Sequence, residues 1–254
     1  MIAGGHLDRL IRHIVRGSSI TTDDRMARLI TGEPHPFGNF VIFADGVERE
    51  EIPRRIEPLT TLDVPAGVFF PGAVTESVAK CVEELGFEPH GAMPAMAADI
   101  SALTRPELPE GYAFARVGRG GASDDWARGL ATGYEIPIGL AELFAPNTIG
   151  GGDGRDASVR CYAIRNAGGK VVCTSMLFLA DGVGGIYCVS TVPEERGRGL
   201  GAYATVQPLR EAHEMGYRVG ILQSSPQGHS VYRRAGFVDV GEVPMFVRMP
   251  GAGA

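Results

Sequence analysis

From Tyr112 onward, apolar and polar positions alternate in short runs separated by glycines, with longer amphipathic stretches between them. YAFARV (Tyr112 to Val117) reads as a strand, followed by helices near Ala122–Thr132 and Gly139–Phe144. SVRCYAIRN and KVVCTSMLFLA read as two strands joined by the turn at Ala167–Gly169, and GIYCVSTV (Gly185 to Val192) as a third. LGAYATVQPLREAHEMG then has helical spacing and stops at Gly216, with a bend expected near Ala204–Pro208 because proline removes a backbone donor. YRVGILQS is a strand, HSVYRRAG a short helix ending at Gly236, and FVDVGEVPMFVRM the last strand material. Ile149–Asp156 is too glycine-rich for a helix. The order predicts an α/β unit with a mixed sheet.

The first hundred residues echo this pattern. LGFEPHGAMPAM (Leu85 to Met96) aligns with AGFVDVGEVPMF (Ala235 to Phe246) at a spacing of 150, with coincidences at Gly86/Gly236, Phe87/Phe237, Gly91/Gly241 and Pro94/Pro244. Upstream, AGVFF resembles VGILQ, and FGNFVIFA resembles the strand before the glycine-rich turn. A duplicated fold is the expectation, divided as 1–103, a proline-containing linker over 104–111, and 112–254. The hairpin strands are expected to be missing from the first half.

Composition narrows the function classes. The 254 residues are 44% hydrophobic and 21% charged, as in an ordinary globular protein, and the net charge of −6 gives no general attraction to nucleic acid. No apolar run reaches the length of a membrane span, and the N-terminus has no signal-peptide core, so the cytoplasm is the expected compartment. The four cysteines, Cys81, Cys161, Cys173 and Cys188, show no metal-ligand spacing and read as small buried hydrophobes, so no metal is expected.

The chemistry concentrates in EERGRGLGAYA (Glu194 to Ala204), where a strand gives way to a helix. A helix N-terminus presents unpaired amides and the positive end of a dipole, glycines allow close approach, and Arg196 and Arg198 add charge. A pyrophosphate is the natural ligand. No GxxxxGK[ST] occurs, and although Gly197, Gly199 and Ala202 fit a loose dinucleotide pattern, the turn follows a two-stranded hairpin rather than opening a βαβ unit.

Arg196, Gly199 and Gly201 stand as Arg-x-x-Gly-x-Gly after a strand, and YRRAGF (Tyr232 to Phe237) supplies Tyr-x-x-x-Gly-Phe further on. Together these resemble the acyl-CoA loop and the second motif of the GNAT N-acetyltransferase superfamily, over Tyr112 to about Met249. The resemblance implies an acyltransferase that moves an acetyl group from acetyl-CoA to a primary amine of a small molecule or amino acid by direct attack. It places cofactor contacts on Val189, Ser190, Thr191 and Val192, on Arg196, Gly197, Arg198, Gly199, Leu200, Gly201 and Ala202, and on Ser230 and Tyr232. Val189 is the backbone position facing the acetyl group, and Tyr232 the general acid. Glu135, in TGYEIPIGL, is the candidate base; His213 reads as an exposed helix residue and His229 as a loop residue.

In the first half Val82 stands where Tyr232 stands, and DGVEREEIPRRIEPLTTLDVP replaces the glycine-rich turn. That half is expected to be a degenerate copy that binds no CoA and helps shape the acceptor cleft. A homodimer is compatible with this reading. A CoA-binding sensor without turnover, and a dinucleotide-binding protein, are the competing classes.

Overall fold

A computed structural model describes residues 6, 9–11, 20–149 and 158–251. The glycine-rich run at 150–157 and most of the N-terminal 19 residues lie outside the described residues. The chain forms two compact units, 1–95 with 241–254, and 96–240. The 104–111 segment lies inside the second unit, and the chain passes between units within two long strands.

The second unit holds β6 (Ala113–Val117), α3 (Gly121–Tyr134), α4 (Ile138–Leu143), α5 (Pro146–Ile149), β7 (Val159–Arg165), β8 (Val171–Ala180), β9 (Val183–Thr191), α6 (Leu200–Glu214), β10 (Val219–Gln223) and α7 (Pro226–Ala235). Its strands run in the order β10-β9-β8-β7-β6. β6 to β9 pair antiparallel, and β10 pairs parallel with β9, so the sheet is mixed. α6 runs unbroken through the buried Pro208. Val206, Leu209 and Ala212 of α6 pack with Tyr162, Leu177 and Ile186 of the strands and with Tyr232 and Phe237. The same core takes Met96, Ala98 and Ile100.

The first unit contains β1 (Ile20–Thr22), β2 (Met26–Ile30), β3 (Asn39–Phe43), α1 (Ile52–Thr60), β4 (Ala66–Phe69) and α2 (Glu76–Glu84), with β5 (Glu88–Asp99) beginning in it and β11 (Val238–Arg248) ending in it. β1 and β2 form an antiparallel hairpin and β2 pairs antiparallel with β3, so the expectation that this half lacks hairpin strands is wrong. The strand was obscured because MARLI carries Arg28 in its middle. That side chain reaches the Arg55 carbonyl and the Thr21 hydroxyl instead of interrupting the ladder.

The 150-residue repeat is visible in detail. Thr75 caps α2 by accepting from the Val78 amide, and Ser225 caps α7 by accepting from the Gly228 amide. Gly86 (φ 85°) and Gly236 (φ 111°) take the left-handed backbone that ends each helix. Immediately after them, the Phe87 amide donates to the Val82 carbonyl and the Phe237 amide to the Tyr232 carbonyl. The matching does not extend to which unit each strand end joins. Met96 lies in the second unit's core, whereas Phe246, 150 residues on, lies in the first's.

Candidate functional site

The site is built around a strand that leaves its neighbour. β9 and β10 pair from Val183↔Val219 to Ile186↔Leu222, and pairing ends there although β9 continues to Thr191. The cause lies on the other edge. The β8–β9 register shifts between Thr174↔Ser190 and Met176↔Tyr187, so Cys188 and Val189 stand opposite Ser175 alone. Such a bulge bends its strand and strengthens the local twist. Cys188 takes φ 52°, uncommon for a side-chain-bearing residue, and its carbonyl is held by the Thr174 hydroxyl at 2.9 Å. The backbone of Tyr187–Thr191 is thereby left with one paired edge and one edge free of β10.

The chain beyond β9 turns through Pro193–Glu195 and then through Gly197 (φ 79°) and Gly199 (φ 80°) into α6. Gly199 is the N-cap and no side chain caps it, so the amides of Leu200, Gly201 and Ala202 begin the helix without a side-chain partner. Gly201 lies beside Val189 and Thr191: a Cβ there would sit 3.9 Å from Val189 Cγ1 and 3.7 Å from Thr191 Oγ1. The open edge and the helix start therefore adjoin.

The two arginines make different contacts from one another. Arg196 donates from Nε to the Thr191 carbonyl at 3.2 Å and from Nη2 to the Gly133 carbonyl at 2.9 Å, with Glu135 at 3.7 Å. It fastens the end of β9 to the end of α3. Arg198 pairs with Glu195 at 3.2 Å, and Glu195 also accepts from the Tyr112 hydroxyl. With the Arg198 side chain 57% exposed, this ion pair is worth at most about 1 kcal/mol.

α3 reaches this position because two glycines let it approach the sheet. A Cβ at Gly133 would lie 2.0 Å from Ser190 Oγ, and one at Gly129 would lie 2.6 Å from Val171 Cγ1. Ser190 is buried and directs its hydroxyl toward the Gly129 and Leu130 carbonyls, away from any ligand role for its side chain. The Val192 amide donates to Val172, and Val192 is buried. Glu135 takes the left-handed conformation that ends α3 (φ 57°) and its side chain is 73% exposed.

Tyr232 is buried on α7, and burial pushes its phenol up to about 12, an effect that a hydrogen bond with Thr205 partly offsets. Tyr134 was missed by the sequence reading. Its hydroxyl is pushed well above its ordinary value, first by the protein packed around it and then by Cys188, Tyr232 and Cys173, yet 48% of the residue stays accessible. Burial also drives Cys188 and Cys173 up to about 12, so both are thiols at neutral pH. Ser230 is exposed on α7, and His213 is exposed as expected, bonded to the Tyr217 carbonyl. His229 lies within α7 rather than in a loop, bonded to Asp239 at 2.7 Å.

Comparison with known proteins places this geometry. A GCN5-related N-acetyltransferase from Kribbella flavida matches with a TM-score of 0.67 at 24% identity, covering 97% of this chain and 95% of that one. A tandem GNAT protein from the clavulanic acid biosynthesis pathway matches with a TM-score of 0.57 at 14% identity, covering 96% and 88%. In sequence, a glucosamine 6-phosphate N-acetyltransferase from Candida albicans is 34% identical over 87 residues, which are 32% of this chain and 58% of that relative. No protein-family model matches. The split edge of β9 and the glycine-capped start of α6 thus sit in a chain that carries the fold of the GCN5-related N-acetyltransferases.

Proposed function

We propose that the second unit is an acetyl-CoA-dependent N-acetyltransferase acting on a primary amine of a small molecule or amino acid. The observation that carries this reading is the free edge of Tyr187–Thr191 beside the uncapped amides of Leu200–Ala202. The amide-bearing pantetheine arm would add to that edge as a further strand adds to a sheet, and the pyrophosphate would take the helix amides with Arg198. Gly197, Gly199 and Gly201 shape the backbone for this, and Arg196 holds the platform rigid. Ser230, exposed on the same helix as Tyr232, would reach only an outer part of the cofactor.

In the reaction the amine nitrogen attacks the thioester carbonyl, the C–N bond forms and the C–S bond breaks, while the proton lost by nitrogen passes to water and the departing thiolate takes one up from solvent. The Val189 amide, on the bulged strand, would donate to the oxygen on which charge develops. Tyr232 stays protonated throughout the physiological range and would donate a hydrogen bond to the departing thiolate. A phenol near 12 is a weaker acid than a thiol, so this hydrogen bond, more than complete proton transfer, is its contribution. Glu135 stands beside Arg196 and is largely solvated; in this reading it clamps the arginine, and the amine arrives as the free base.

The first unit would bind no CoA. At the corresponding helix start Glu48 and Glu51 form a capping box, with the Glu48 amide donating to Glu51 at 3.3 Å, and Pro53 removes one amide. Titration calorimetry with acetyl-CoA and with NAD(H), followed by an amine panel scored by thiol release, tests the assignment. One acetyl-CoA per chain with turnover is expected; NAD(H) binding without acetyl-CoA binding would overturn it, and tight acetyl-CoA binding without turnover on any amine would leave a sensor.

A further inference from the structure

A groove of about 220 Å³ runs between α3 and the β7–β8 hairpin, and Tyr232 is not among the residues that line it. Asp125, Arg128 and Thr132 line one wall at helical spacing, and Arg165 and Lys170 line the other. Three cations face one carboxylate here, in a chain whose net charge is −6.

Asp125 holds the guanidinium groups in place. It accepts from Arg128 Nη2 at 2.7 Å and Arg165 Nη2 at 3.1 Å, and Arg165 Nη1 donates to the Gly169 carbonyl at 2.7 Å. These bonds use one N–H of Arg128 and two of Arg165, of the five that each guanidinium carries. The Lys170 side chain has no partner among the described residues, and both Arg128 and Lys170 are exposed. Charge-assisted donors arranged around a concavity suit a doubly charged oxyanion, which can accept from several of them at once.

We infer that this groove binds a small dianion, a phosphomonoester or a dicarboxylate, and that its occupancy is coupled to the loop at Arg196–Gly199. The groove floor includes Gly129 of α3 and Val192, the residue that leads into that loop. One turn along α3, the Gly133 carbonyl accepts from Arg196. With Gly129 and Gly133 set against Val171 and Ser190, α3 has no slack to move without shifting these neighbours. The coupling rests on the loop being the acetyl-CoA site; the occupancy of the groove does not.

Calorimetry on the full chain tests both parts, using inorganic phosphate and succinate at constant ionic strength, with and without saturating acetyl-CoA, on the wild type and on Arg128→Glu/Lys170→Glu. Both substitutions are at exposed positions, and circular dichroism verifies folding. Expected are one site with Kd below about 1 mM that persists with acetyl-CoA bound, weakens at least about tenfold in the variant, and shifts acetyl-CoA affinity by about fivefold in the wild type alone. Phosphate binding more tightly identifies a phosphoryl ligand, and succinate a dicarboxylate. No binding, equal binding by the variant, or displacement by acetyl-CoA would overturn the groove; an unchanged acetyl-CoA affinity would overturn the coupling. Failure of acetyl-CoA to bind without any anion would instead overturn the assignment of the loop.

Discussion

Phe43 and Phe70 stack with ring centroids 5.2 Å apart and planes 14° apart, immediately past the last paired positions of β3 and β4, Ile42↔Phe69. Phe70 also meets Phe246 edge-on at 5.9 Å. Aligned through their parallel pairing, Phe43 corresponds to Tyr187 and Phe70 to Gln223. The place where β9 and β10 part in one repeat is therefore filled by aromatic rings in the other.

Phe70→Ala separates a structural role from a latent site. Both rings are buried, so truncation should destabilise the protein by about 3–5 kcal/mol in denaturant unfolding. It should create no second acetyl-CoA site, because the helix start that follows β3 is already capped by Glu48 and Glu51. A stoichiometry of two acetyl-CoA per chain in the variant would show that the rings alone exclude the ligand.

Tyr232→Phe keeps the ring that packs against Phe237 at 6.1 Å and removes only the hydroxyl. The rate of thiol release should fall by roughly 10²–10⁴, while acetyl-CoA affinity changes little. Tyr134→Phe, at an exposed position, should have a smaller effect on the rate. If the two substitutions behave alike, Tyr232 has no special place in the reaction.

The strands and the longer helices of the second unit were legible because each obeys a local rule: alternation in the strands, helical spacing, a left-handed glycine at Gly236. The repeat was legible for the same reason, since Gly86/Gly236 and Phe87/Phe237 perform the same local tasks. What was hidden depends on partners distant in the chain. The bond from Arg196 to the Gly133 carbonyl, 63 residues earlier, has no signal in the residues around Arg196. The unit boundary was illegible because Met96 and Phe246 occupy matching positions in sequence but different cores. Tyr134 escaped notice because its significance comes from Cys188 and Tyr232, neither of which is near it in sequence.

Gly133→Ala tests the packing that brings α3 to β9. The new methyl would overlap Ser190 Oγ at 2.0 Å, while Thr191 backbone atoms at 3.0 Å leave some room for adjustment. Overpacking of this kind destabilises by about 1–3 kcal/mol. Moving Gly133 also disturbs its bond with Arg196, so acetyl-CoA affinity should fall as well. Ser190→Ala removes the overlapping oxygen and should recover most of both losses in the double variant. Simple additivity in a double-mutant cycle would show that the two residues do not press on one another.

Stability should decline at alkaline pH, and the sign follows from the buried groups. Tyr232, Cys173 and Cys188 are each held near 12 by burial, and Tyr134, Tyr162, Tyr187 and Cys161 are also raised. In the unfolded chain the thiols ionise near 9.0 and the phenols near 10.0. Between those values and about 12 the folded protein binds more protons than the unfolded one, so stability falls as pH rises. The contribution is complete below about pH 9, fades through the folded values, and gives no slope from this source near neutrality. Urea unfolding at pH 8, 10 and 11 at fixed ionic strength measures it, and Tyr232→Phe should make the decline between pH 10 and 11 shallower than in the wild type. A stability that stays level from pH 8 to 11 would mean that these phenols and thiols ionise in the folded protein as readily as in the unfolded chain.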